Sequence, residues 1–381
     1  MVSKYSHTRR MLLTFCKAFI LLLSCALTAL AVVLGVGAQQ AGQHMAHAQV
    51  LPSAATPGIS CGWQVAYPPL DATPTDNHIR PVGTLAGVTA ISSSDVWAVG
   101  YTGLILERNA NTQTLHWNGS QWILVPPPFL GVLQGVSAIS STDVWAVGTD
   151  RSSGVAQTLT LHWDGTVWSR VRNSIEGILA GVVAISPNDV WAVGTTEPLD
   201  GTPAEALTMH WDGTSWDVVP NPSAHAACIC EVAIGRLLGV TATGTADVWA
   251  VGWYASQVSS QKALVLHWNG QAWAISPINQ IGQFNAVAAS TPHDVWAVGV
   301  STGGAGSLTE HWDGSGWTQV PSPNPGSHLP NFSNANVLTG VSETSAGDVW
   351  AVGVYADYTF DGVQSLALHW DGRSWLQVDT P

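Results

Sequence analysis

Short apolar runs separated by pairs of turn-forming residues fill most of the chain, and the same words return in the same order. One unit reads ILAGVVAIS, PN, DVWAVG, a variable loop, ALTMHW, DGTS, WDVVP. The runs are rich in Val, Ile, Thr and Trp, the residues that suit a pleated surface. They predict four strands: Gly181–Ser186, Asp189–Gly194, Leu207–Trp211 and a short one around Trp216. An Asp-Gly or Asn-Gly step between the last two is a hairpin signal, because glycine takes positive φ freely. Within DVWAVG, Val190 and Ala192 point one way while Trp191 and Val193 point the other. A sheet apolar on both faces has to be covered on both.

DVWAVG occurs six times, starting at Asp95, Asp143, Asp189, Asp247, Asp294 and Asp348, each time followed by HW(D/N)G. The steps are 48, 46, 58, 47 and 54 residues. A period near fifty is that of a propeller blade, and blades stacked face to face supply the double cover that these strands need. The chain is therefore expected to be an all-β, six-bladed β-propeller of four-stranded antiparallel blades over residues 85–381. Residues 1–38 form a leader and 39–84 a linker. The linker holds Cys61-Gly62-Trp63-Gln64-Val65 and Pro68-Pro69, which read as a stray fourth strand. It could pair on a blade edge or begin a degenerate seventh blade.

These motifs resemble the kelch repeat of the galactose-oxidase type. DVWAVG stands for its glycine-ended apolar strand, HWDG for its aromatic–Asp step, and W-x-x-V-P for its last segment. One glycine stands where kelch repeats have two, and the histidine is an addition. The resemblance implies a propeller. The copper-radical oxidases built on such propellers need a Tyr/His/Cys copper constellation, for which no segment matches, so no cofactor and no metal are expected.

Asp95, His116 and Trp117, and likewise Asp189, His210 and Trp211, belong to stations present in all six units. Six near-identical stations cannot all be one active site. They are expected to be structural, with Asp bonding to the His ring or to turn amides and Trp filling space between blades. This would be similar to the Asp–His–Trp staple of WD-repeat propellers.

Function is then sought where the copies differ. The loops joining strands two and three, and those joining one blade to the next, emerge on one face; the other face carries only short turns. Loops held by a rigid scaffold commonly carry binding. Exposed aromatics beside carboxylates suit sugars, which makes Tyr101, Trp253, Tyr254, Tyr355, Asp357, Tyr358, Phe360 and Asp361 the ligand-binding candidates. Glu107, Asp150 and Asp200 are further loop carboxylates.

The leader changes where this happens. Lys4, Arg9, Arg10 and Lys17 precede an apolar run from Ala18 to Ala38, the pattern of an export signal. Its length also allows a retained membrane anchor. Either outcome places the body outside the cytoplasmic membrane, secreted or at the cell surface. Without the leader the chain keeps 8 Lys and Arg against 25 Asp and Glu, about −17 in all. A polyanion partner needs a basic stripe, so nucleic acid is excluded, and membrane contact is left to the anchor alone. Cys61, Cys228 and Cys230 follow the leader and are candidates for one disulfide.

The reading is of a monomeric, non-catalytic exported propeller that binds a glycan or an extracellular protein through its loop face. A carbohydrate-active enzyme with loop carboxylates at the propeller mouth, and a purely structural surface protein, are the alternatives.

Overall fold

A computed structural model describes residues 83–103, 110–125, 127–198, 202–222, 233–256, 259–302, 306–326, 336–357 and 362–380. The leader, Trp63, Cys61, Cys228, Cys230, Glu107, Asp200, Tyr358, Phe360 and Asp361 lie outside these residues. The described residues form six four-stranded antiparallel sheets, each of four consecutive strands paired in chain order, and no helix.

Blade one is β1 (Thr84–Ser92), β2 (Asp95–Thr102), β3 (Asn111–Trp117) and β4 (Trp122–Leu124). Blade two is β5 (Val132–Ser140), β6 (Asp143–Asp150), β7 (Gln157–Trp163) and β8 (Trp168–Arg170). Blade three is β9 (Ile178–Ser186), β10 (Asp189–Thr195), β11 (Ala206–Trp211) and β12 (Trp216–Val218). Blade four is β13 (Ala233–Gly244), β14 (Asp247–Ser256), β15 (Ser259–Trp268) and β16 (Trp273–Ile275). Blade five is β17 (Gly282–Thr291), β18 (Asp294–Ser301), β19 (Ser307–Trp312) and β20 (Trp317–Gln319). Blade six is β21 (Asn336–Ser345), β22 (Asp348–Asp357), β23 (Gly362–Trp370) and β24 (Trp375–Val378).

The first strand of blade three starts earlier than its apolar pattern predicts, at Ile178 rather than Gly181. The cause is a register shift in its pairing with the second strand, between Leu179 and Gly181, repeated at Leu133/Gly135, Leu237/Gly239 and their counterparts. One extra residue in the ladder interrupts the alternation of faces that a sequence pattern follows. The bulge also explains the final glycine of DVWAVG. A Cβ on Gly148 would sit 1.8 Å from the Val132 carbonyl oxygen, and one on Gly194 1.9 Å from that of Ile178. No side chain fits there.

The hairpin between strands three and four runs through Gly213-Thr214, flanked by Asp212 and Ser215. Glycine is therefore the first of the two central residues, where the sequence suggested Asp-Gly as the pair. Gly213 has φ +96°, and a Cβ there would press within 2.5 Å of Asn188 Oδ1 in the neighbouring turn. Asp212 Oδ1 accepts the amides of Thr214 and Ser215 at 2.7 and 2.9 Å. Asn118 and Asn269 do the same in blades one and four, which is why Asp and Asn alternate in this step. Hydrogen bonds from Thr214 and its neighbours hold the Asp212 carboxyl down at about 2.

The core lies between blades. Trp97 of blade one packs with Val144, Ala146, Leu161 and Trp168 of blade two. The same arrangement recurs for Trp145, Trp191, Trp249 and Trp296, each against the blade that follows. Each of these tryptophans is at most 2% exposed. Burying such a side chain contributes roughly 1.5–3 kcal/mol or more, so successive blades hold one another.

Candidate functional site

The two ends of each blade are built differently. At the short-turn end, the Asp that opens strand two shares a hydrogen bond with His Nε2 of strand three in every blade. The pairs are Asp95–His116 (2.8 Å), Asp143–His162 (2.9 Å), Asp189–His210 (2.8 Å), Asp247–His267 (2.6 Å), Asp294–His311 (2.7 Å) and Asp348–His369 (2.8 Å). Each imidazole lies on the strand-two tryptophan of its own blade, with centroids 4.0–4.6 Å apart from Trp97–His116 to Trp350–His369. In blades one to five that tryptophan meets two indoles of the next blade: Trp97 contacts Trp163 at 5.0 Å and Trp168 edge to face at 5.4 Å. The indole N–H of Trp117 donates to the Ser93 carbonyl in the adjoining turn, and that of Trp211 to Pro187. The recurring Asp, His and Trp thus form one ladder of contacts from turn to blade to neighbouring blade.

The loop end is where the blades diverge. Blades two and three are tied by Arg151–Glu197 at 2.7 Å, and Arg170 holds Asp150 at 2.7 Å within blade two. Burial raises the Asp150 carboxyl, but the hydroxyl and amide of Ser152 and the Arg170 guanidinium outweigh it and hold it below its usual value. Beside Arg151 lies a depression of about 110 Å³ with Leu130, Gln134, Ser152 and Ile178 on its walls. Leu130 and Ile281 are both 45% exposed at matching places before blades two and five. Each is pinned by a single bridge to a third-strand residue, Leu130 to Asn111 of β3 and Ile281 to Lys262 of β15.

The aromatic candidates do not form one platform. Tyr101 is half-buried near the end of β2, opposite Thr84 and Thr112. Tyr254 packs against the cluster between blades three and four, and burial raises its phenol. Tyr355 occupies the equivalent place in blade six and packs between blades five and six. Both side chains therefore fill junctions between blades. Trp253 is half-buried on β14, with the Arg236 guanidinium 5.8 Å from its ring centre. Asp357 closes β22 opposite Gly362.

Two acidic residues escaped the sequence reading, although a repeat alignment marks them. Glu310 stands where the other blades have Leu115, Leu161, Met209, Leu266 and Leu368. It is 1% exposed, and burial pushes it up to about 7. Glu343 stands where the others have alanine and faces Asp294 and Ser290 of blade five. Burial first, and then the Asp294 carboxylate, push it up to about 8. This carboxylate pair lies at the short-turn end, away from the loops. Among the described residues, no group of three or more His, Cys, Asp or Glu is placed to hold a metal ion.

No family model matches the chain, and no curated protein matches it. Solved structures do resemble it. The GH74 xyloglucanase from Xanthomonas campestris aligns at 12% identity with a TM-score of 0.53, over 79% of this chain and 46% of that one. The chain thus spans less than half of that enzyme. A protein of unknown function from Dyadobacter fermentans aligns at 10% identity and TM-score 0.50, over 76% and 96%. YCF48 bound to D1 peptide aligns at 16% identity and TM-score 0.48, over 81% and 86%. At such identities the likeness is one of fold.

Proposed function

We propose that the protein is exported and acts as a non-catalytic propeller that binds an extracellular protein through its loop face. The observation that carries this reading is the contrast between the two blade ends. The short-turn end repeats one Asp–His–Trp arrangement six times. The loop end bears the exposed Leu130 and Ile281, the ion pair Arg151–Glu197 and the Arg236–Trp253 stack, each in a single blade or pair of blades. Apolar side chains rimmed by charge suit a protein surface. The motifs support a kelch-like variant as the origin of the scaffold.

A glycan is the second reading, favoured by Trp253 as a half-exposed ring. It has less support than the sequence suggests, because Tyr254 and Tyr355 pack into blade junctions. An enzyme of the glycoside hydrolase type would use a free carboxylate pair at the loop mouth. Asp150 and Glu197 are each held by an arginine instead.

The test is a glycan array probed with the exported protein, beside capture of extracellular proteins from the same source on immobilised protein. A blank array with a captured protein lost on Arg151→Ala and Leu130→Asp supports the reading. Glycan binding abolished by Trp253→Ala moves the ligand to sugar. Turnover of an oligosaccharide would overturn the non-catalytic reading.

A further inference from the structure

Thr149 and Thr195 hold the same place, directly after DVWAVG in blades two and three. The Thr195 hydroxyl bonds to the Glu205 and Gly235 carbonyls at 3.1 and 3.2 Å. Thr149 is as deeply buried, 4% exposed, yet its hydroxyl has no hydrogen-bond partner among the described residues. Leaving such a group unpaired costs stability. Thr149 also lines the depression of about 110 Å³ where blades two and three meet. On the same wall stands Gln134, where the other inner strands carry Ala86, Ala180, Leu238, Asn285 and Thr339. In blade five that place is satisfied within the fold, since Asn285 donates to the Leu338 carbonyl of the next blade at 2.7 Å.

The walls restrict what enters. Arg151 is the one charged residue among them, and Glu197 already pairs with it at 2.7 Å. A cation finds no carboxylate there. An anion has to share Arg151 with Glu197, on a chain that carries about −17 without its leader. A wholly apolar group leaves the Thr149 hydroxyl unpaired. A cavity of about 150 Å³ takes benzene, so this smaller one takes roughly four or five non-hydrogen atoms. An uncharged carboxamide on a short aliphatic stem meets every restriction. Its carbonyl accepts from the Thr149 hydroxyl, its NH₂ donates to the Gln134 carboxamide oxygen, and Leu130 and Ile178 cover the stem.

We propose that this depression takes the side-chain carboxamide of a glutamine or asparagine on the partner, with Thr149 and Gln134 as the residues that recognise it. The inference rests on the reading of the loop face as a protein-binding surface and names the anchor that surface accepts. A small buried pocket filled by one partner side chain is the usual form of such an anchor.

Methyl NMR on the full chain, expressed for export and purified, tests this with N-acetylglutamine methylamide as the probe. The Leu130 and Ile178 methyl signals should shift saturably, and the glutamate and leucine analogues should bind at least tenfold more weakly, because a site built to hydrogen-bond rejects a group that cannot. Thr149→Val keeps the shape and removes the hydroxyl. It should weaken the probe at least tenfold while melting no lower than the wild type. Gln134→Leu, the residue of blade four, should weaken it likewise. Equal shifts from all three probes, or none, would overturn the proposal, as would a Thr149→Val protein that melts well below the wild type. Tighter binding of the glutamate analogue would overturn it in favour of a carboxylate on Arg151, and tighter binding of N-acetylglucosamine in favour of a sugar. A captured extracellular protein with no response to the probe strikes the carboxamide and leaves the protein-binding reading. Probe binding with nothing captured keeps the pocket and strikes that reading.

Discussion

Asp189 and His210 meet at 2.8 Å, and the imidazole so held lies 4.5 Å from the ring of Trp191. That indole reaches Trp268 and Trp273 of blade four at 4.9 and 5.2 Å. One carboxylate thus orients a ring at the junction between two blades. Asp189→Ala leaves a half-buried imidazole without its partner and is expected to lower stability by about 1–3 kcal/mol. Urea unfolding checks this. Unchanged stability together with lost ligand binding would assign the station to function instead.

Trp191→Ala removes the ring itself and opens a cavity shared by blades three and four. The expected loss is about 3–5 kcal/mol. Trp253→Ala, on a half-buried ring beside Arg236, is expected to cost about 1 kcal/mol or less, the scale of an exposed cation–π contact. A melting series on the two variants separates scaffold from surface. Equal losses would deny the distinction.

The turn at Gly213 allows a cleaner backbone test. Gly213→Ala forces an L residue to φ +96° and drives its Cβ into Asn188, at an expected cost of about 1–2 kcal/mol. Asp212→Asn keeps the acceptor, as Asn118 and Asn269 do, and should be close to neutral at pH 7. Asp212→Ala should fall below both the wild type and Asp212→Asn in melting temperature.

Glu310 and Glu343 make stability depend on pH in a stated direction. Both carboxyls are raised in the folded state, to about 7 and about 8, from an ordinary 4.5. Below pH 4.5 both are protonated whether folded or not, and neither contributes a slope. As pH rises above 4.5 the unfolded chain ionises first, so stability falls until pH 7 for Glu310 and pH 8 for Glu343. His311 faces Asp294 in the same cluster, and Gln280 faces Glu310. Glu310→Leu, which restores the residue of four sister blades, should remove on the order of 3 kcal/mol of that decline. A melting-temperature profile from pH 4.5 to 8.5 that stays as steep in Glu310→Leu and Glu343→Gln would contradict the assignment.

The repeat made the fold legible, because six copies of DVWAVG and HW(D/N)G expose strand period, turn position and double-sided burial at once. The bulge after Leu179 was hidden, since one extra residue shifts faces without changing composition. The aromatic candidates illustrate a second limit. Tyr254 and Tyr355 sit two residues beyond DVWAVG, at the strand end where sequence cannot say whether a ring turns outward or back into the junction. Glu310 and Glu343 were legible only by aligning the copies, where one acid replaces five apolar residues. The division between a uniform turn face and a varied loop face followed from loop lengths alone.

That division is the central claim, and site-directed photocrosslinking tests it most directly. One probe replaces Leu130 on the loop face, 45% exposed, and another replaces Val167 on a short turn, 50% exposed. With the ligand returned by the array or the capture, the account predicts an adduct from position 130 and none from position 167. An adduct from 167 alone would place recognition on the repeated face and contradict it.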